Sequence, residues 1–264
     1  MSESGKLLPS GIVEGLTTDI FGKKEIIYFE ETDSTNARAR DLAEKGAPEG
    51  TLVIAESQTR GRGRKGRTWF SPSGAGIYAS LILRPAIPTS EATRITFLTA
   101  VAAAETLLHS TDQVVRIKWP NDILINGKKV AGILTEISAE KGAVDYAVVG
   151  LGMNVNTPAF PNDIEETATS ILIETGKRFS RAGLLREYLR RQEACLRWLR
   201  SSGFKPILDR WKELADSIGR EVRVEMMDKT YIGWVEDIDP EGILILKDKE
   251  GVSHRIVSGD VALL

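Results

Sequence analysis

Hydrophobic residues recur along this chain with two different periods, and the exchange of one for the other near residue 217 divides it in two. Upstream, apolar runs of strand length at residues 25–30, 51–55, 77–83 and 114–118 alternate with longer segments whose apolar positions return every three or four residues. The clearest helix spans 90–109, with Ile95, Leu98, Val101, Ala102 and Leu108 on one stripe and Ser90 as its expected N-cap. Residues 180–200 repeat that pattern through Leu184, Leu185, Tyr188, Leu189, Leu196 and Leu199, and a shorter helix follows at 207–215. A helix over 37–45 stands behind the hydroxyl- and amide-rich residues 32–36, where Asp33 or Ser34 is placed to cap it. A short amphipathic helix is expected within 11–21. Asn126-Gly127 supplies a hairpin turn between 123–127 and 128–137. Residues 145–151 are almost continuously apolar, the mark of a strand buried on both faces. Downstream, short strands at 221–227, 230–238, 243–247, 253–257 and 261–264 are separated by turn residues such as those at 239–242. That spacing predicts a small β-barrel module, giving domains at 1–216 and 217–264.

Composition narrows the chemistry. The 264 residues carry a formal net charge of −2, which weighs against general nucleic-acid binding, where a basic domain is the rule. No stretch approaches the ~20 apolar residues of a membrane span. Cys195 is the single cysteine, which excludes an internal disulfide and points to a reducing compartment, the cytoplasm. His109 and His254 are the only histidines, so a multi-histidine metal site or a histidine-dependent triad has almost no raw material. His109 ends its helix, where it complements the dipole.

The densest candidate chemistry is residues 60–69, R-G-R-G-R-K-G-R-T-W. Gly61, Gly63 and Gly66 permit close backbone approach, and the interleaved Arg62, Arg64, Lys65 and Arg67 are donors suited to phosphate and carboxylate. The run matches a dinucleotide fingerprint, and a Walker A motif with Arg67 in place of lysine. Both require a following helix to receive the phosphate. Turn chemistry and another strand follow instead, so both readings fail. A solvated basic loop and a mobile lid that orders around a polyanionic ligand remain.

Three further segments set polar groups where an apolar strand ends: Lys118, Asn121 and Asp122; Lys129 before Ala131 and Gly132; and Gly150 and Gly152 before Asn154 and Asn156. Singly each is commonplace. Together, lysines, side-chain amides and glycines at strand ends make a phosphate and carboxylate site able to stabilise charge without a protein nucleophile. Asp122 or Glu136 is a candidate Mg²⁺ ligand, since Mg²⁺ takes one or two carboxylates beside phosphate oxygens and water.

Taken together, D-S-T-N at 33–36, G-R-G-R-K-G-R-T-W at 61–69, K-W-P-N-D at 118–122, K-V-A-G-I at 129–133 and G-L-G-M-N-V-N at 150–156 resemble biotin–protein ligase, in order and spacing, from about Ile26 to Leu264. The resemblance implies an α+β fold: a catalytic domain with helices packed on a mixed β-sheet, plus a C-terminal SH3-like β-barrel. It implies activation of biotin by MgATP to biotinyl-5′-AMP, then transfer to a lysine of biotin carboxyl carrier protein. By resemblance, Ser34, Thr35, Asn36 and Gln58, with Gly61, Arg62 and Gly132, hold biotin. Lys129 sits between the biotin carboxylate and the α-phosphate; Arg64, Arg67 and Lys118 hold the phosphates; Trp69 stacks on adenine near Asn121 and Asn154. Lys65 stands where the family usually has arginine and receives no direct role. Ser258-Gly-Asp260 resembles a segment that meets the nucleotide side. The motif at 34–36 comes too early for the N-terminal DNA-binding domain of some members, so no operator binding is expected. Members often pair through the catalytic sheet, which leaves a homodimer open. The rivals are a lipoate–protein ligase, and an RNA- or DNA-binding module using the basic loop, Trp69 and Phe70.

Overall fold

The computed structural model describes residues 5–226 and 228–264. The chain opens with helix α1 (Pro9–Val13), followed by β1 (Ile26–Thr32), α2 (Thr35–Glu44), β2 (Leu52–Gln58), β3 (Gly76–Leu83) and α3 (Thr93–Ser110). Next come β4 (Val115–Lys118), β5 (Asp122–Ile125), β6 (Lys128–Glu140), β7 (Ala143–Asn154), α4 (Ile171–Thr175), α5 (Arg181–Ser202) and α6 (Lys205–Leu214). The C-terminal strands are β8 (Glu221–Glu225), β9 (Thr230–Ile238), β10 (Leu244–Lys247), β11 (Ser253–Ile256) and β12 (Asp260–Leu263).

β1 to β7 form one mixed sheet in the order β1-β2-β3-β7-β6-β5-β4, in which only β1 and β2 run parallel. Its centre is the pair β3 and β7, as the unbroken apolar run of β7 requires: strand period sends alternate residues to opposite faces, so a strand apolar at every position needs cover on both. Ala147, Val149, Leu151 and Met153 face the main core beneath α3, α5 and α6, while Tyr146 and Val148 join Ala39 and Ala43 of α2 on the other face. Cys195 of α5 belongs to the main core, where burial pushes its thiol up to about 12. An ion pair buried in that core, Arg181 to Glu56 at 2.8 Å, also ties down the first residues: Glu56 accepts from the Leu7 amide and Arg181 donates to the carbonyls of Gly5 and Gly76.

The C-terminal strands form a separate five-stranded antiparallel sheet, order β11-β10-β9-β8-β12, around Val222, Val224, Val235, Leu244, Leu246 and Ile256. It docks on the seven-stranded layer where Trp119 Nε1 donates to the Gly242 carbonyl at 3.2 Å. Among the described residues no helix is long and apolar enough to cross a membrane.

Several expectations shift. The N-terminal helix covers Pro9–Val13 rather than reaching toward Phe21, because Gly15 and Gly22 take positive φ and turn the chain. Ser90 lies in a short 3-10 turn, Thr89–Glu91, and α3 begins after Ala92 instead. Ser34 occupies the N-cap position of α2 but its side chain makes no capping bond; Asp33 Oδ1 accepts from the Ser34 amide. The strand expected to end at Met227 stops at Glu225, and residue 227 lies outside the described residues. Asn126 and Gly127 both take positive φ, as the predicted hairpin turn demands.

Candidate functional site

The site follows from the alternation along β6 and β7. The side chains of β7 that face α2 begin with Tyr146 and Val148, and the next on that face are Gly150, Gly152 and Asn154. Register places Gly132 of β6 beside Gly152 and Leu134 beside Gly150. Helix α2 covers the apolar half of this face, and the glycine half is left open as the floor of a cavity of about 510 Å³. Close approach explains both floor glycines. A Cβ at Gly152 would stand 2.4 Å from Cε2 of Trp69, and one at Gly132 would stand 2.9 Å from Cζ3. Gly150 is required by a different neighbour, since its Cβ would lie 2.1 Å from Asn36 Oδ1.

The basic loop roofs the cavity. It leaves β2, makes a single 3-10 turn over Arg64–Gly66, and leads through turns into β3 with no helix following. Its base is closed by the Trp69 amide donating to the Gly61 carbonyl at 2.9 Å. Its cations are paired across the cavity mouth, two of them with one carboxylate. Arg62 pairs with Glu136 at 3.1 Å, Arg64 donates to Asn121 Oδ1 at 2.9 Å, and Arg67 and Lys65 reach Asp260 of the C-terminal module at 2.5 and 3.1 Å. Burial lowers the pKa of Arg64, although a guanidinium stays charged across any working pH. Burial also opposes the charge on Asp260, but the hydrogen bonds from Arg67 and Lys65 outweigh it and hold that carboxyl below the usual range.

Lys129 Nζ stands 2.7 Å from Asp122 Oδ1 and 5.3 Å from the centre of the Trp69 ring. Asn121 joins roof to floor, accepting from Arg64 and donating to the Ile133 carbonyl at 2.8 Å. Asn154 donates to the Thr169 carbonyl at 3.0 Å, bracing the chain that follows the floor strand. At the far end, Gln58 Oε1 accepts from the Thr35 amide at 2.9 Å. The amide of Asn36 is fully engaged with protein, donating to Glu136 and the Leu134 carbonyl and accepting from Ser80.

Of the residues given a direct binding, catalytic or metal role in the sequence, fourteen line this one cavity: Ser34, Thr35, Asn36, Gln58, Arg62, Arg64, Arg67, Trp69, Lys118, Asn121, Asp122, Lys129, Gly132 and Asn154. Gly61 does not; it lies behind the roof, where a Cβ would be 2.5 Å from the Trp69 carbonyl oxygen. Lys65 is also off the lining, tied to Asp260. Neither histidine nor Cys195 reaches the cavity. Among the described residues no group of three His, Cys, Asp or Glu could hold a metal by itself.

Residues 28–154 match the Biotin/lipoate A/B protein ligase family, and residues 217–264 match the Biotin protein ligase C terminal domain. The Bifunctional ligase/repressor BirA of Bacillus subtilis is 41% identical over all of this chain and 81% of its own length. The chain belongs to the biotin protein ligase family. A second relative, Biotin–[acetyl-CoA-carboxylase] ligase of Paracoccus denitrificans, is 36% identical over 83% of this chain and 93% of its own. The biotin protein ligase of Aquifex aeolicus, solved in complex with biotin and ATP, superposes with a TM-score of 0.79 at 30% identity, covering 91% of this chain and 99% of that one.

Against this family's motifs, what sequence reasoning missed is the far wall. Phe160, Ile164 and Thr167 line the cavity from the segment after β7, and Phe70 meets Phe160 edge-on at 6.1 Å. That segment reads as a Pro- and acid-rich connection. Phe160 and Ile164 are isolated apolar residues within it, and that is the only signal they leave.

Proposed function

We propose that this chain is a biotin–protein ligase that joins biotin to ATP as biotinyl-5′-AMP, releasing pyrophosphate, and then passes the biotinyl group to a lysine of a biotin carboxyl carrier protein. The observation that carries the reading is the gathering of Arg64, Arg67, Lys118 and Lys129 around one glycine-floored cavity whose lining holds no histidine or cysteine. Such a cavity is suited to bringing two anions together, and it holds no cysteine or histidine for a covalent enzyme intermediate.

In the first step a biotin carboxylate oxygen bonds to the α-phosphorus as the bond to pyrophosphate breaks. Both reactants are anions, and Lys129 neutralises their shared charge as it concentrates in the transition state. Asp122, 2.7 Å away, aims that ammonium. Arg64, Arg67 and Lys118 hold the phosphates, and the Trp69 indole offers a face to adenine. Ser34, Thr35 and Gln58 offer hydroxyls and an amide to the ureido ring. Asp122 also fits Mg²⁺ as the single carboxylate of a site completed by phosphate oxygens and water, and the bound ion would neutralise phosphate charge. In the second step the carrier lysine's amine attacks the acyl carbon, AMP leaves with the bonding pair, and the amine loses its proton.

Incubation with biotin and labelled ATP is expected to yield biotinyl-AMP, with none of the corresponding adenylate from lipoate; the reverse preference would overturn the reading. No repressor activity is proposed for these residues. Sequence-specific retention of DNA by the purified protein would contradict this.

A further inference from the structure

Along one wall of the cavity a chain of side chains runs from one end of the roof loop to the other. It starts at Arg62 with Glu136, passes through Asn36 to Ser80, whose hydroxyl lies 2.6 Å from Asn36 Oδ1 and 2.9 Å from Thr35 Oγ1, and reaches Gln58. An amide oxygen can only accept, so fully buried Ser80 donates its one proton to Asn36. The last link is Ser71. Its hydroxyl accepts from Gln58 Nε2 at 2.9 Å and donates to the Trp69 carbonyl at 3.0 Å, using one lone pair and its only proton. On its Gly61 side the knot leaves no spare room: a Cβ there would stand 2.8 Å from Ser71 Oγ and 3.1 Å from Gln58 Nε2.

We propose that Ser71 is a positioning residue that locks the ring-binding amide of Gln58 to the base of the roof loop, so that occupancy at Gln58 and closure over Trp69 are coupled. Ser71 is buried and off the cavity lining, so it acts through Gln58 and Trp69 rather than on substrate. The amide Oε1 is already fixed by the Thr35 N–H, and Ser71 fixes the nitrogen, which together set the plane of the amide. The same hydroxyl holds the carbonyl of Trp69, so a displaced amide pulls on the loop and an open loop frees the amide. This role rests on the biotin-ligase reading of the cavity.

The test compares Ser71→Ala and Ser71→Thr with the unaltered protein. Loss of two neutral hydrogen bonds corresponds to a roughly tenfold weakening. Ser71→Ala is therefore expected to raise the KM for biotin about tenfold with a smaller change in kcat, and to need correspondingly more biotin to protect the loop's arginines from trypsin. Ser71→Thr, which keeps the hydroxyl, restores both. Should Ser71→Ala fail to fold, Ser71→Cys fills the same space with a weak donor and carries the same expectation. A Ser71→Ala protein with unchanged KM and unchanged biotin-dependent protection overturns the proposal, even if its melting temperature falls. Failure of the unaltered protein to form biotinyl-AMP would instead overturn the function assigned to the cavity.

Discussion

Replacing Gly152 by alanine tests the floor of the site against its roof. The new Cβ would stand 2.4 Å from Cε2, 2.5 Å from Nε1 and 2.8 Å from Cζ2 of Trp69, where ordinary contact begins at 3.4 Å. Either strand or indole must yield by about 1 Å, and a misplacement of that size near a reacting centre costs roughly a hundredfold in rate. The strand will not move, because β7 is hydrogen-bonded on both sides, by β3 and β6, at the centre of the sheet. The roof is held by partly exposed ion pairs worth about 0–1 kcal/mol each, so the indole lifts. Stability should move the other way, since replacing a strand-interior glycine recovers roughly 0.5–1 kcal/mol of backbone entropy. Gly152→Ala is thus expected to fold with an unchanged or slightly higher melting temperature while biotin-dependent pyrophosphate release falls about a hundredfold. Gly11→Ala, where a Cβ meets nothing within 4 Å, serves as the control and should leave activity intact. Near-normal turnover in Gly152→Ala would refute the reasoning, because it would mean that the indole's seat on the floor is irrelevant to catalysis.

Lys129→Ala should reduce adenylate synthesis roughly a hundred- to a thousandfold with the fold intact, as loss of a preorganised charge partner does; urea unfolding and single-turnover adenylate assays check the two halves. Arg64→Ala, which removes the bond from roof to Asn121, should instead release the adenylate early, seen as faster loss of labelled product from the protein on rapid gel filtration. The Asp260 clamp is acid-sensitive: its carboxyl is lowered in the fold, so its contribution is complete above the ordinary aspartate value near pH ~4 and is lost as pH falls through the lowered one. Hydrogen exchange across residues 62–68 should accelerate over that acid window, and Asp260→Asn should abolish the transition. Glu56→Gln strands the buried Arg181 charge and should cost about 3–5 kcal/mol in urea denaturation, much of it recovered by the double change Glu56→Leu with Arg181→Leu.

Much of this protein is legible along the chain. The central strand β7 announces itself by its unbroken apolar run, and the period-two rule already places Gly150, Gly152 and Asn154 on one face of it. The hairpin at Asn126-Gly127 is written in two residues whose backbones tolerate positive φ. The motif order from Asp33 to Asn156 is enough to name the family. Local chemistry dictates these features, because strand period and turn conformation depend on neighbours in sequence. What only the tertiary structure decides is who meets whom. Nothing in the sequence says that Gly152 is small for the sake of Trp69, or Gly150 for the sake of Asn36. Nor does it say that Lys65, without a role in the motif, and Arg67 share the carboxylate of Asp260 nearly two hundred residues away. The wall built by Phe160 and Ile164 is invisible for the same reason: a loop residue acquires meaning from the surface it folds against. Contacts between distant segments are set by sheet order and by which half of a face a helix covers. In this protein α2 covers the half of β7 that carries Tyr146 and Val148 and leaves the glycine half open, and the site lies in that gap.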